Sequence, residues 1–130
     1  MYRNESKGYN GFARKRAVIA IVRDISKVPA LTGVTAKAGN VNDADGLAAL
    51  IAGHNAVISS VHFSASDPEK LIAAVRKAKV PRYLVVGGAG SLEVVPGTRL
   101  IDTPGFPGAY RKEAGGGAAI LDRLRETHDT

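Results

Sequence analysis

The sequence contains no cysteine and no tryptophan among its 130 residues. Without cysteine the chain cannot form a disulfide, use a thiolate nucleophile or ligate a metal through sulfur. Aromatic residues make up only 5% of the chain, which leaves little material for a platform that stacks nucleic-acid bases. No apolar run approaches the roughly 20 residues of a membrane span, and the N-terminus carries no apolar signal segment. We therefore expect a cytoplasmic protein with no membrane partner and no specific nucleic-acid partner.

Metal binding is also not expected. The three histidines, His54, His62 and His128, are scattered along the chain without the spacing of metal ligands. His62 alone falls near the carboxyl edge of the predicted sheet, where ligands bind in such folds, and we interpret it as a surface histidine.

The positive charge is concentrated at the N-terminus. The chain carries a net charge of +6, and +4 of this lies before the first predicted strand, where five basic residues face only Glu5. A basic arm of this kind could bind nucleic acid non-specifically, but no recognised motif accompanies it. We predict that residues 1–13 form a loose basic arm and that residues 14–130 form one domain, whose hydrophobic fraction of 45% is ordinary for a globular protein.

Short apolar runs alternate with amphipathic segments along the rest of the chain. The runs at 17–22, 33–38, 56–61 and 83–86 predict strands, and the first shows no polar alternation, which is typical of a strand buried on both faces. Helices are predicted from Asn42 or Asp43 to Gly53, from Pro68, and over about 111–126, whereas 94–109 is rich in proline and glycine and predicts a long loop. This alternation predicts an α/β fold with a doubly wound parallel sheet of about four strands.

Several segments, in this order, carry a family likeness: AIVRD at 20–24, LTGV at 31–34, GNVND at 39–43, GHNAVIS at 53–59, LVVGGAGSL at 84–92, and DTPGFP at 102–107, followed by Tyr110 and KEA at 112–114. The sequence resembles the NAD(P)H-binding, NADH-flavin-reductase-like branch of the atypical short-chain dehydrogenases, which includes epimerase-like members. The resemblance implies a Rossmann-like fold, a nicotinamide dinucleotide as cofactor, and hydride transfer to a flavin or similar small acceptor.

The chain departs from the family pattern at both ends. The family begins with a strand, a G-x-x-G-x-x-G loop and a helix whose backbone amides hold the pyrophosphate. Only sixteen residues precede the first predicted strand here, and Gly8-Tyr9-Asn10-Gly11 is interpreted as a turn. The family also continues beyond the final helix. We therefore expect an incomplete Rossmann-like sheet, truncated at both ends, with weak or lost cofactor binding and possible self-association through exposed sheet edges. A non-catalytic binding module and an inactive gene fragment are the alternatives.

The resemblance places the cofactor's ribose beside two charged residues at the end of the first strand. Arg23 would pair with the 2′-phosphate of NADP, which favours NADP over NAD. Asp24 could accept a hydrogen bond from a ribose hydroxyl, or it could instead cap the turn that follows.

Further cofactor contacts are implied at the ends of the later strands. Asn40 and Val41 match the position that contacts the adenine, with asparagine in place of the usual aspartate. Ser60 and Val61 would flank the adenine ribose. Gly87, Gly88 and Ala89 would lie beside the nicotinamide half, where small residues permit a close approach.

Catalytic residues are not identified. Many short-chain dehydrogenases use Tyr-x-x-x-Lys, but Tyr110 is followed by Ala114 at that spacing, and Lys112 lies only two residues on. Ser91 could orient a substrate carbonyl. Ser91 and Tyr110 are therefore only candidates.

Overall fold

The computed structural model describes residues 17–127. The predicted basic arm, the Gly8–Gly11 turn and His128 lie outside these residues. The chain divides into two compact units: the first includes residues 17–54 and 69–80, and the second includes residues 55–68 and 81–127.

The first unit contains one parallel strand pair and two helices. Strand β1, Val18–Val22, pairs with β2, Val34–Ala38, and Val18 lies opposite Val34. Helix α1 covers Ala44–Ile51, and α2 covers Pro68–Lys77. Their apolar faces supply most of the buried core: Leu47, Ala48, Ile51, Leu71, Ile72, Ala74 and Val75. The prediction that β1 is buried on both faces holds fully only at Ala20, since the other four residues of the strand are half-buried.

Local signals in α1 act as the sequence predicts. Asp43 is the N-cap, and its carboxylate accepts a hydrogen bond from the Gly46 backbone N–H at 3.1 Å. After the helix ends at Ile51, Gly53 adopts the left-handed conformation with φ of 78°, which glycine enters without steric cost. An ion pair of 2.6 Å between Lys77 Nζ and Asp45 Oδ1 connects α2 to α1.

The second unit contains a shorter parallel pair, a hairpin and a long helix. Strand β3, Val57–Ser59, pairs with β4, Tyr83–Val85. Strands β5, Glu93–Val95, and β6, Thr98–Arg99, form an antiparallel hairpin around Gly97, so the prediction that 94–109 is entirely loop is wrong. Helix α3 covers Arg111–Arg125 and continues through the three glycines at 115–117.

The described residues form three separate two-stranded sheets, two parallel and one antiparallel. The predicted α/β class is confirmed, but the predicted continuous sheet of four strands is present as the pairs β1–β2 and β3–β4. In β3–β4 the register partners Ile58 and Leu84 are each 45% exposed. One face of this pair is therefore open to solvent.

Candidate functional site

In the second unit, the chain segments that follow β3 and β4 leave the sheet side by side. Ser59 lies opposite Val85, and the Val86 N–H donates to the Ser59 carbonyl at 2.9 Å, which extends the ladder by one bond. Ser60 and Val61 therefore begin at the same carboxyl edge as Gly87 and the residues after it. In open α/β sheets this edge is where ligands bind.

Gly87 and Gly88 leave this edge open. A Cβ built on Gly87 would meet no atom within 4 Å, and one built on Gly88 would first meet the Phe63 ring at 4.0 Å. Neither glycine has a positive φ. Neither packing among residues 17–127 nor backbone conformation therefore requires glycine at these two positions, and the space beside them is available to a ligand.

The next residues of the same segment form a turn. Ala89 begins a 3-10 turn, Ala89–Ser91, in which Gly90 is buried: a Cβ on Gly90 would lie 2.9 Å from the Ala114 Cβ. The Ser91 hydroxyl donates to the Gly88 carbonyl at 3.3 Å. Ser91 therefore stabilises the turn that carries the glycines.

The segment after β3 is held by Glu113 of α3. Its carboxylate accepts hydrogen bonds from the backbone N–H groups of Phe63, at 2.6 Å, and Ser64, at 2.8 Å. His62 Nδ1 lies 3.5 Å from Glu113 Oε1. Desolvation acts to raise the pKa of Glu113, but the hydrogen bonds from Ser64 and Phe63 and the nearby His62 outweigh it and lower the pKa to about 2. Glu113 is therefore a carboxylate at neutral pH.

Sequence reasoning missed this contact and the one beside it. Glu113 and Phe63 are 50 residues apart, so no local pattern connects them. Phe63 packs against Gly116 and Gly117, where added Cβ atoms would approach its side chain to 2.7 and 2.9 Å. Two of the three glycines at 115–117 therefore form the surface on which Phe63 lies.

Tyr110 ends the 3-10 turn Gly108–Tyr110, directly before α3, and is 66% exposed. Lys112 is also exposed. Positions two residues apart do not face each other on a helix, which agrees with the broken Tyr-x-x-x-Lys spacing.

In the first unit, the residues after β1 and β2 also share a carboxyl edge. The Gly39 N–H donates to the Val22 carbonyl at 2.9 Å, so Arg23 and Asn40 follow directly from adjacent strand ends. Arg23 is exposed. Asn40 uses its side-chain oxygen to accept from the Asn42 N–H at 2.9 Å, and Val41 is half-buried.

Asp24 caps the turn that follows β1. Its Oδ1 accepts hydrogen bonds from the Ser26 hydroxyl at 2.6 Å and the Ser26 N–H at 3.1 Å, and these bonds lower the pKa of Asp24. The second oxygen of the carboxylate is not used in these bonds.

Within residues 17–127, no three His, Asp or Glu side chains come together as metal ligands. Over the same range, the helices are all too short or too polar to cross a bilayer.

Comparison with known proteins identifies the fold and the family. Residues 12–125 match the model of the NAD(P)H-binding family. The chain is 36% identical over 123 residues to YwnB of Bacillus subtilis, and this match covers 88% of the chain and 58% of YwnB.

Two solved structures have the same fold. A "putative epimerase" from Bacteroides thetaiotaomicron superposes with a TM-score of 0.80 at 30% identity, over 96% of this chain and 58% of that one. A "putative NADH-flavin reductase" from Streptococcus pneumoniae gives a TM-score of 0.64 at 31% identity, over 93% of this chain and 59% of that one. The α/β Rossmann-like fold is thus confirmed, and the chain spans somewhat under two thirds of the length of each of these relatives.

Proposed function

The chain belongs to the NAD(P)H-binding family, and we propose that it is an oxidoreductase-like protein that binds NADPH at the carboxyl edges of its parallel strands. The observation that carries this proposal is the open edge at Gly87 and Gly88, where two glycines stand without any internal requirement for glycine. A nicotinamide ring needs such an edge because its reactive carbon must be approached closely.

The residues that the resemblance implies as cofactor contacts are found in both units. In the first unit, Arg23 would form a forked contact with the 2′-phosphate, and Asp24 has a carboxylate oxygen left for a ribose hydroxyl. Asn40 and Val41 would contact the adenine.

In the second unit, Ser60 and Val61 would flank the adenine ribose, and Gly87, Gly88 and Ala89 would face the nicotinamide half.

The bound dinucleotide would supply the hydride, and the protein would bind and orient it and exclude water. We propose a flavin or a similar small molecule as acceptor, which is supported by the name of the S. pneumoniae relative. Ser91 and Tyr110 remain candidates for contacts with the acceptor. A cytoplasmic location stays a prediction.

The test compares two glycine-to-alanine variants of the full chain. Gly87→Ala adds a methyl group to the open edge and should weaken NADPH binding about tenfold, because the methyl takes space that the cofactor needs. Gly105→Ala is the matched control: its Cβ also meets nothing within 4 Å, and its φ is not positive. NMR titration with NADPH gives the Kd, and thermal unfolding verifies that both variants are folded.

We expect both variants to keep the stability of the parent and only Gly87→Ala to lose affinity. Failure of the parent chain to shift any resonance at millimolar NADPH would refute the proposed function. Equal NADPH affinities for the two variants would show that the cofactor does not bind beside Gly87.

A further inference from the structure

One face of α3 holds the segment that follows β3. Glu113, Gly116 and Gly117 are three and four residues apart and therefore share a helix face. The carboxylate of Glu113 accepts hydrogen bonds from the backbone N–H groups of Phe63 and Ser64, and the two glycines lie against the Phe63 side chain. The short 3-10 turn Phe63–Ala65 is thus fixed through its backbone and its one aromatic ring.

These hydrogen bonds suit an ionised carboxylate specifically. The two adjacent N–H donors each meet one oxygen of the Glu113 carboxyl group. When this group is ionised, both oxygens are acceptors and neither carries a proton. The Glu113 side chain is 36% exposed, and Ser64 lies at the surface, so the contact covers no large apolar area. Its main effect is on the conformation of the loop and less on the burial of the core.

The position of this loop links Glu113 to the candidate site. Ser60 and Val61 occupy the two positions between the end of β3 and His62, at the edge shared with Gly87. A loop that is already ordered avoids the entropy cost of ordering when a ligand binds. We propose that Glu113 is a positioning residue for the dinucleotide: it holds the segment 60–64 in the conformation that contacts the adenosine half. This inference rests on the proposed function.

The main test replaces Glu113→Gln in the full chain, with Lys112→Ala as the control on the same helix turn. A glutamine amide keeps one acceptor but turns an NH₂ donor toward one of the two N–H groups, so the loop should loosen. We expect amide hydrogen exchange at Phe63 and Ser64 to become at least about tenfold faster in E113Q. K112A should behave as the parent chain, because Lys112 is exposed.

Binding of the two halves of the cofactor separates positioning from general stability. In E113Q, NMR titration should show about tenfold weaker binding of 2′,5′-ADP, because two charge-assisted bonds no longer order the loop. Binding of nicotinamide mononucleotide should change less than about twofold. Equal weakening for both fragments, or no change in either, would overturn the inference.

A measurement on the parent chain keeps the inference testable if E113Q does not fold. Because coupling between two events is reciprocal, binding of 2′,5′-ADP must slow exchange at the Phe63 and Ser64 amides if their order favours binding. Binding without slowed exchange would overturn the role of Glu113 and leave the proposed function intact. Absence of any NADPH binding to the parent chain would overturn both.

Discussion

Gly116 lies directly against Phe63, and a Cβ in its place would approach the Phe63 Cβ to 2.7 Å and the Phe63 backbone to 3.4 Å. The neighbouring Gly115 is different, since its nearest contact would be the Ile101 methyl at an ordinary 3.8 Å. Packing against Phe63 therefore requires glycine at positions 116 and 117, whereas position 115 has room for a Cβ.

This difference predicts opposite effects of the same substitution at adjacent positions. Gly115→Ala should stabilise the chain by up to about 1 kcal/mol through helix propensity. Gly116→Ala gains the same propensity but must displace Phe63, for a net loss of about 1–2 kcal/mol. Urea unfolding followed by circular dichroism measures both. Equal changes of the same sign would show that Phe63 does not lie on this face.

A buried hydroxyl pair within β3–β4 gives a second prediction. Ser59 is only 7% exposed, and its hydroxyl lies 3.0 Å from the Tyr83 hydroxyl. Burial raises the pKa of Tyr83, while the Ser59 hydrogen bond acts to lower it, so the phenol stays protonated at neutral pH. Tyr83→Phe should cost about 1–2 kcal/mol of stability because it leaves the Ser59 hydroxyl without this partner.

The double variant Tyr83→Phe with Ser59→Ala completes the cycle. It should lose less stability than the sum of the two single variants, by about 1 kcal/mol, since neither partner is then left unpaired. Additive losses would mean that the two hydroxyls do not interact.

The low pKa of Glu113 predicts a dependence of stability on pH. Its pKa is about 2 in the folded chain against an ordinary value of 4.5, so between these values the unfolded chain binds more protons. The contribution of Glu113 is present above about pH 4.5 and is lost as the pH falls toward about 2. Asp24 and Asp45 also have lowered pKa values and add to the slope of the parent chain.

Glu113→Gln isolates the contribution of Glu113 because it leaves both aspartates unchanged. Thermal unfolding between pH 2.5 and pH 6, in steps of about half a unit, should give a shallower slope for the variant in the acid range. Parallel curves for the parent and the variant would contradict the assigned pKa.

Cofactor choice is predicted to depend on Arg23. Its planar guanidinium at the end of β1 suits a 2′-phosphate, so any binding should favour NADPH over NADH. Arg23→Ala should abolish the preference, and Lys70→Ala, an exposed cation on α2, should preserve it. An unchanged ratio of the NADPH and NADH dissociation constants in R23A would show that another residue binds the 2′-phosphate.

Local signals predicted much of this fold. The Asp43 cap, the Gly53 terminus and the Pro68 start each act over a few residues, and the final helix ends within one residue of its expected limit. The hairpin around Gly97 also had a local signal, Pro-Gly between β-branched residues, that the loop interpretation overlooked.

The contacts that sequence reasoning missed are long-range. Glu113 meets Phe63 and Ser64 only because α3 packs beside the end of β3, and no spacing in the sequence encodes that. Strand pairing is likewise non-local: the apolar runs predicted strands correctly, but the number of neighbours of each strand depends on the rest of the fold.

The exposed face of β3–β4 gives the last prediction. Ile58 and Leu84 are register partners on one face, each 45% exposed, and Val86 on the same side is 36% exposed. Strand β3 also has only β4 as a partner among the described residues. An apolar face beside an unpaired strand edge favours pairing with another chain, so we expect the protein to self-associate.

Light scattering over a range of concentrations should reveal this association as a rise in mean mass. Ile58→Lys places a charge at the centre of the exposed face and should shift the rise to higher concentration. Ile25→Lys is the matched control, because Ile25 is equally apolar and 53% exposed but belongs to the first unit and not to β3–β4. A parent chain that stays monomeric and unfolds cooperatively above about 60 °C would contradict the prediction, since a chain with this face uncovered should not exceed the ordinary mesophilic range.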